Sequence, residues 1–381
     1  MDLPKSLIRD LANAAMGKPD ILPFWFGESD QPTPGYIRAA AIQSLQDGET
    51  RYTQNLGRPY LITALSDYLT RLHQRPVAEG RITTVSAGIS GLMLAAQAII
   101  SPGDRVVGIS PLWPNVLQIP AILAADVTRV PLEVRHGKWD LDLDALLSAL
   151  TPDTRVLILN SPSNPTGWMI SPRQIEAILA HCRRYGIWII SDDVYQRLAY
   201  NPELNCAPSF LDYAEPEDRV ISVNSFSKAW LMTGFRVGWM VAPEGLINEL
   251  TKLIEYNTCC IFEPAQRAAQ TALLRGESTI RDLRAHLRGT RPLLVKGLRS
   301  MPNVEVPEAG GGMYVFFRIH GQEDTTAFAR RLLAKTGVGL APGAAFGEEG
   351  QGWLRWCHAA EAQKITEALE RMQRFMTMIS D

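Results

Sequence analysis

The sequence predicts an α/β protein whose mostly parallel central sheet is covered by helices on both faces. Short, almost wholly apolar runs alternate with stretches of helical spacing between about residues 46 and 288. Apolar strands separated by helices are typical of parallel sheets, because both faces of such a sheet are buried. The expected strands are Arg105–Ile109, Arg155–Asn160, Ile187–Asp192, Val220–Asn224 and Val237–Val241.

One intervening helix has clear signals at both ends. Ser171 is a good N-cap residue, Pro172 suits the first helical position, and Gln174 completes a capping box. Apolar residues then follow at helical spacing, and Gly186 supplies a stop signal. This segment is therefore expected to be a helix lying between two strands.

The chain length and a change of pattern predict more than one domain. At 381 residues the chain exceeds what a single core usually holds. We expect an N-terminal arm belonging with the small domain over residues 1–45, a large domain over 46–288 and a small α+β domain over 289–381. The expected later elements are Glu305–Ile319 with its triple glycine, the helix Thr325–Lys335, the strand Val338–Ala341, the helix Glu361–Met378, and a long joining helix that contains Leu246–Tyr256 or Gln266–Leu287.

The composition excludes several classes of function. The chain has 38 basic and 40 acidic side chains, a net charge of −2, so we expect neither nucleic-acid nor membrane binding. No apolar run approaches the ~20 residues of a membrane span, and the N-terminus lacks the apolar stretch of a signal peptide. Five cysteines without a C-x-x-C pair indicate reduced thiols and a cytoplasmic location. Six histidines without ligand spacing predict no metal site.

Chemically capable residues lie at the ends of the expected strands. Asn160 and Asp192 each end a strand, and the loop Ser225–Lys228 follows another. Ligands of parallel sheets bind just beyond the carboxyl ends of the strands, so we expect a site there. A lysine together with a buried strand-end aspartate is what a pyridoxal 5′-phosphate (PLP) enzyme needs, one for the cofactor aldehyde and one for its ring nitrogen.

These residues belong to an ordered set of segments that resembles the class I/II aminotransferases of PLP fold type I. The resemblance runs from Gly27 to Arg355, nearly the whole chain. The segments are Tyr52-Thr53 with Gly57, Ser86-Ala87-Gly88-Ile89-Ser90, Trp113, Asn160-Ser161-Pro162-Ser163-Asn164-Pro165-Thr166-Gly167, Asp192-Asp193-Val194-Tyr195, Ser225 to Gly238, and Arg355.

The resemblance implies a catalytic lysine and its acidic partner. Lys228 would hold PLP as a Schiff base and then act as the base that moves a proton from the substrate Cα. Asp192 would pair with the protonated pyridine nitrogen. Asp193 competes for that role, but successive strand residues face opposite ways and the family pattern selects Asp192.

Further cofactor contacts are implied in the same way. Tyr195 and Asn164 would donate hydrogen bonds to the phenolic oxygen of PLP, and Trp113 would stack on its ring. The alternatives are a turn-forming role for Asn164 and a core position for Trp113.

Anion-binding groups complete the implied site. The phosphate would be bound at a helix N-terminus by the amides of Ile89 and Ser90 and by the Ser90 hydroxyl, together with Ser225 and Arg236. Tyr52 would reach the phosphate from the other subunit of a homodimer; otherwise it is an ordinary packed aromatic residue.

The substrate groups implied are Arg355, Asn164 and the backbone of Gly27, with Arg355 binding the α-carboxylate in a bidentate manner. We find no second arginine for a side-chain carboxylate, and the segment Asn257–Pro264 offers Glu263 instead of a basic residue. A neutral or aromatic amino acid is therefore expected.

The implied function is amino-group exchange between an L-amino acid and a 2-oxo acid by a ping-pong cycle through Lys228. A β-lyase or other lyase of the same fold is the alternative, because the same electron sink serves both reactions. The effector domain of a PLP-sensing transcriptional regulator is a second alternative. It is disfavoured because the family-like segment begins by about residue 24 and the charge is not basic.

Overall fold

The protein was analysed as a computed structural model, which describes residue 3 and residues 5–380, with side chains through residue 378. Its strands are β1 Leu22–Pro23, β2 Ile82–Val85, β3 Arg105–Ser110, β4 Asp126–Arg135, β5 Lys138–Leu141, β6 Thr154–Asn160, β7 Trp188–Asp192, β8 Val220–Ser225, β9 Gly238–Val241, β10 Val304–Glu305, β11 Tyr314–Ile319, β12 Val338–Gly339, β13 Ala341–Pro342 and β14 Trp353–Cys357.

Helices surround these strands. They are α1 Leu7–Ala15, α2 Gly35–Gln46, α3 Pro59–His73, α4 Gly88–Ile99, α5 Pro114–Ile122, α6 Leu143–Ala149, α7 Pro172–Tyr185, α8 Glu244–Glu255, α9 Glu263–Arg275, α10 Glu277–Arg299, α11 Thr325–Thr336 and α12 Ala362–Ser380. The predicted capping box of α7 is present: the Ser171 hydroxyl accepts from the Gln174 amide, the Gln174 side chain accepts from the Ser171 amide, and Gly186 adopts φ 69°.

The central sheet has eight strands in the order β2-β9-β8-β7-β6-β3-β4-β5. Its five inner strands, β8 to β4 in that order, run parallel, and β2, β9 and β5 join by antiparallel pairings. Four of these inner strands, β3, β6, β7 and β8, are almost wholly buried because helices cover both faces, whereas β4 is only partly buried. The predicted α/β class with a mostly parallel sheet is confirmed.

Strand β3 lies between β6 and β4, so the chain first adds β4 along one edge of β3 and later adds β6 along its other edge. Parallel sheets form a crevice where the strand order reverses in this way. The segments that follow β3 and β6 therefore open beside each other at the carboxyl edge.

Three sequence predictions need correction. Strand β9 begins at Gly238 rather than Val237, because Arg236 is left-handed at φ 51° and the extended backbone starts after it. The predicted strand Val338–Ala341 is two strands, since β12 pairs with β1 and β13 pairs with β14. The predicted helix Gln266–Leu287 is interrupted at Gly276, a residue that weakens helix interiors.

The C-terminal part contains an antiparallel sheet in the order β10-β11-β14-β13. Long helix α10 precedes it and packs against α12. Strand β1, from the N-terminal segment, pairs in parallel with β12, so Leu22 and Pro23 lie against the C-terminal part. Within the described residues, no helix combines the length and apolar character needed to cross a membrane.

Candidate active site

A cleft of about 620 Å³ opens at the carboxyl edge of the central sheet and is bordered by β11, β14 and the N-terminal segment. It gathers residues that are far apart in sequence. The predicted site residues that line it are Gly27, Ile89, Trp113, Asn164, Asp192, Tyr195, Ser225, Lys228, Arg236 and Arg355. Ser90 and Tyr52 are the two predicted site residues outside this lining.

Neighbouring strand ends hold the floor of the cleft in place. Asn160 of β6 and Asp192 of β7 are paired in register. The Asn160 side-chain amide donates to the Asp192 carbonyl at 2.8 Å, and its oxygen accepts from the Asn164 amide at 2.8 Å. Asn160 therefore fixes both Asp192 and Asn164, a positioning role that the sequence did not reveal.

The two adjacent aspartates face different surroundings. Asp193 accepts hydrogen bonds from the hydroxyls of Ser191, Ser209 and Ser222, at 2.6, 3.0 and 2.5 Å. Asp192 lines the cleft and accepts from the Val194 amide at 3.3 Å. Burial raises the pKa of the Asp192 carboxyl to about 7, and no basic side chain forms an ion pair with it in the described part of the chain. Asp192 thus lacks a cationic partner.

Lys228 projects into the cleft from the loop after β8. Its Nζ donates to the Gly27 carbonyl at 2.5 Å and lies 5.9 Å from the centre of the Tyr195 ring. Burial lowers the pKa of the Lys228 ammonium to about 8. This lowered pKa increases the fraction of the amine that is neutral, and able to act as a nucleophile or base, near neutral pH.

Tyr195 is hydrogen-bonded to a tyrosine that sequence reasoning missed. The hydroxyls of Tyr195 and Tyr314 lie 2.6 Å apart, and both side chains are buried. Burial, with the neighbouring Tyr314, raises the pKa of Tyr195 well above its usual value. The one sequence signal was the position of Tyr314 just after the triple glycine, where strand β11 enters the cleft wall.

The N-terminus of α4 faces the cleft beside the loop that carries Arg236. The first bond of this helix runs from the Gly91 amide to the Ala87 carbonyl at 3.1 Å, so the amides of residues 88–90 precede it. The Ser90 hydroxyl donates to the Ser86 carbonyl at 2.6 Å, which differs from its expected use toward a phosphate.

Arg236 is exposed to the cleft and donates to the Thr233 carbonyl at 2.6 Å. Among the described residues it has no carboxylate within 4.0 Å. A side chain on the next strand would close this region, because a Cβ on Gly238 would lie 2.5 Å from the Asn224 carbonyl and 3.0 Å from the Gly88 amide nitrogen. The absence of a side chain at Gly238 lets the strand approach the helix end closely.

Arg355 of β14 is buried against two rings. Its guanidinium carbon lies 4.5 Å from the centre of the Tyr314 ring and 4.8 Å from that of Phe346. It donates to the Asn164 side-chain oxygen at 2.8 Å and to the Trp25 carbonyl, while its Nε has no acceptor in the described chain. Such a buried guanidinium without a carboxylate partner suits an anionic ligand.

Trp113 and the N-terminal segment form the opposite wall. The Trp113 amide donates to the Asn164 carbonyl at 2.9 Å, and its ring lines the cleft at the start of α5. Arg9 of α1 also lines the cleft, with its guanidinium carbon 4.9 Å from the centre of the Phe26 ring. No second arginine was predicted for the site, and the structure adds Arg9.

Tyr52 lies away from the cleft of its own chain and is 87% exposed. Glu263, the acidic residue noted in the segment Asn257–Pro264, is buried at the start of α9. It accepts from Arg58 at 2.5 Å and from the Tyr60 hydroxyl at 2.9 Å. Glu263 therefore anchors the start of α3 to α9, and the Cys260 sulfur accepts from the Thr53 amide at 3.4 Å beside it.

No cluster of three or more potential metal ligands occurs in the part of the chain that the structure describes. The lining of the cleft presents an amine, carboxylates, phenols and guanidiniums.

Comparison with known proteins agrees with this arrangement. The family model "Aminotransferase class I and II" matches residues 19–372. The chain belongs to this aminotransferase family. The predicted family and the predicted transaminase activity are both confirmed.

This aminotransferase is similar to characterised relatives over nearly its whole length. It is 30% identical to the aspartate aminotransferase of Pyrococcus horikoshii, over 98% of this chain and 95% of the relative. It is 29% identical to aromatic-amino-acid aminotransferase 2 of Thermococcus litoralis, over 97% and 95%. The crystal structure of aspartate aminotransferase from Thermotoga maritima superposes with a TM-score of 0.90 at 29% identity, covering 98% of both chains.

Proposed function

We propose that this aminotransferase uses PLP to exchange an amino group between an L-amino acid and a 2-oxo acid. One observation carries the proposal: the cleft combines the Lys228 amine, the buried carboxylate of Asp192 and the guanidinium of Arg236, and among the described residues neither Asp192 nor Arg236 forms an ion pair. Each of these three groups matches one part of PLP: the amine matches the aldehyde, the carboxylate matches the ring nitrogen, and the guanidinium matches the phosphate.

The residues present fit the cofactor. Asp192 would hold the ring nitrogen in its protonated form, because a cation relieves the cost of burying the carboxylate. Arg236, Ser225 and the amides of Ile89 and Ser90 would hold the phosphate at the α4 N-terminus. Trp113 would cover the ring, and Asn164 and Tyr195 would donate to its phenolic oxygen. When bound, PLP supplies an electron sink that stabilises negative charge at the substrate Cα.

The reaction then depends on proton handling by this chain. Lys228 would hold the cofactor through its amine and, once freed by the substrate amine, would be the base that takes the Cα proton. Its lowered pKa, about 8, keeps part of the population unprotonated for this task. Arg355 and Asn164 bind the α-carboxylate, which sets the Cα within reach of the lysine.

A half-reaction tests the proposal and separates it from the lyase alternative. PLP-loaded protein mixed with amino acid and no 2-oxo acid is expected to release about one equivalent of 2-oxo acid per subunit and then stop, because the cycle is ping-pong. Continued release of pyruvate with ammonia would instead support a lyase. Protein that binds no PLP would contradict the proposal altogether.

We also propose a homodimer in which Tyr52 completes the phosphate site of the partner subunit. Tyr52 is 87% exposed and Phe262, at the start of α9, is 59% exposed. Their chain neighbours are hydrogen-bonded, Thr53 to the Ile261 carbonyl at 3.3 Å, so the two exposed aromatic residues lie on adjoining segments. Large exposed aromatic side chains favour burial against another protein surface. The five cysteines are unpaired, which supports a reducing, cytoplasmic location.

Mixed dimers test the shared site. Tyr52→Ala and Lys228→Ala are each expected to give weakly active or inactive dimers. After mixing under conditions that allow subunit exchange, about a quarter of wild-type activity should return, because half of the dimers are hybrids with one intact site. Activity assays of the mixture of Tyr52→Ala and Lys228→Ala, beside each variant unmixed, measure this. Failure to regain activity despite demonstrated exchange would place Tyr52 outside the partner's site.

The side-chain wall of the cleft is proposed to consist of Ile8, Phe26 and Arg9. It offers apolar contact with one cation at the edge, so it favours a side chain with an apolar stem and accommodates a terminal carboxylate on Arg9. This broadens the neutral or aromatic preference that the sequence suggested.

Arg9→Gln is expected to raise KM for a dicarboxylic 2-oxo acid about tenfold, since a charge-assisted hydrogen bond is lost. KM for phenylpyruvate should change little. Steady-state kinetics with both acceptors measure the difference, and Lys5→Gln, an exposed residue beside α1, is the matched control. Equal changes for both acceptors would rule out the proposed contact.

A further inference from the structure

The Tyr195–Tyr314 pair is a close hydrogen bond between two buried phenols that line the cleft. The two hydroxyls are 2.6 Å apart, and the rings meet edge to face with centres 5.6 Å apart. The residues are 4% and 1% exposed, so water does not compete for this bond. The proposed function assigns Tyr195 a contact with the cofactor and leaves Tyr314 without a role.

Two contacts besides the bond to Tyr195 fix the position of Tyr314. Its ring lies 4.5 Å from the Arg355 guanidinium carbon. Its hydroxyl fills the space beside Gly27, where an added Cβ would lie 1.8 Å from the Tyr314 oxygen. Two residues of the site therefore fix the position of the hydroxyl. Arg355 is the proposed ligand of the substrate carboxylate, and the Gly27 carbonyl accepts from Lys228.

The number of hydroxyl hydrogens determines which tyrosine donates in this pair. A tyrosine hydroxyl has one hydrogen to donate. If Tyr195 donates its hydrogen to the phenolic oxygen of the cofactor, the hydrogen between the two phenols must come from Tyr314. Among the described residues, no other acceptor is hydrogen-bonded to the Tyr314 hydroxyl. Tyr314 therefore has a single use for its hydrogen, and that use leaves the Tyr195 hydrogen free.

We propose that Tyr314 is a positioning residue that directs the Tyr195 hydrogen toward the cofactor and strengthens the bond it donates. Hydrogen bonds in a chain polarise one another, so a donor to Tyr195 makes Tyr195 a better donor. This inference rests on the proposed function, because it requires PLP in the cleft. A stronger bond to the phenolic oxygen favours its ionised form and lowers the pH at which the bound chromophore titrates.

The test is a spectroscopic pH titration of PLP-loaded protein. Tyr314→Phe keeps the ring and removes only the hydroxyl, and the absorbance midpoint is expected to rise by about 0.4–1 pH unit, as for the loss of one hydrogen bond. Tyr200→Phe is the matched control. It removes another buried phenol, one that bonds to His358 at 3.0 Å outside the cleft, and should leave the midpoint unchanged.

Two further measurements secure the interpretation. In a Tyr195→Phe background, Tyr314→Phe should no longer shift the midpoint, since its effect passes through Tyr195. Site-specific 3-fluorotyrosine at position 314, a more acidic phenol, should shift the midpoint downward if Tyr314 is the donor. An unchanged midpoint in both the Phe and the fluorotyrosine proteins would overturn the inference.

The same titration distinguishes this inference from the proposed function. If wild-type protein shows no pH-dependent PLP absorbance, the proposed function fails. If wild type titrates and Tyr195→Phe shifts the midpoint while the Tyr314 variants do not, only the role of Tyr314 fails.

Discussion

Lys228→Ala is expected to reduce kcat at least about 10³-fold, because proton transfer by a positioned side chain contributes on the order of 10²–10⁴ and the covalent attachment of PLP is lost as well. The measurement is turnover with an amino acid and a 2-oxo acid at saturating PLP. Borohydride treatment followed by mass measurement should give a stable adduct in wild type and none in the variant.

Lys252→Ala is the matched control for this change. Lys252 lies on α8, outside the cleft, and pairs with Glu249 at 2.7 Å. Its loss removes a lysine without touching the site, so turnover should stay near the wild-type value. Wild-type turnover by Lys228→Ala would contradict both the attachment and the proton-transfer role.

Asp192→Asn is expected to lower kcat by about 10²–10³-fold, the range found when one preorganised electrostatic contact is removed from an active site. The amide cannot stabilise a protonated ring nitrogen, so the electron sink weakens while PLP still binds through Lys228 and the phosphate groups. Steady-state kinetics of PLP-loaded protein give the readout, with the surface variant Asp140→Asn as control. An unchanged kcat would show that Asp192 does not stabilise the ring nitrogen.

The same variant should change the pH dependence of stability in the cofactor-free protein. Burial raises the folded pKa of Asp192 from 3.8 to about 7, so between these values the folded state binds more protons than the unfolded state. Stability therefore falls as pH rises from about 4 to 7, by a few kcal/mol. Urea unfolding at pH 5 and pH 8 should show a smaller decrease for Asp192→Asn than for wild type. A decrease of the same size in both would mean that Asp192 is not the group responsible.

The sequence was most informative where local patterns determine structure. The Ser171 capping box, the apolar strands and the strand-end polar residues could all be predicted, because each depends on short-range periodicity or chain chemistry. Of the ten predicted residues that line the cleft, Asp192, Ser225 and Lys228 also follow from this, since parallel strands deliver their carboxyl ends to one edge. The other seven were implied by the family resemblance.

The rest depends on contacts between distant segments. Tyr314 meets Tyr195 across 119 positions, and Arg9 lies on α1, which packs against the distant elements β13 and α11. Glu263 contacts Arg58 across 205 positions, so no local pattern predicts that it anchors α3 to α9. The division of Val338–Ala341 between two sheets likewise depends on which partners are present, and not on strand propensity.

The carbonyls of Trp25 and Gly27 currently accept from Arg355 and Lys228. Ligands in the cleft would compete for both cations, so filling the site releases two anchors of the same short stretch of chain. Nicking by a protease near Trp25 should then report occupancy, with cleavage rates that differ between empty and loaded protein.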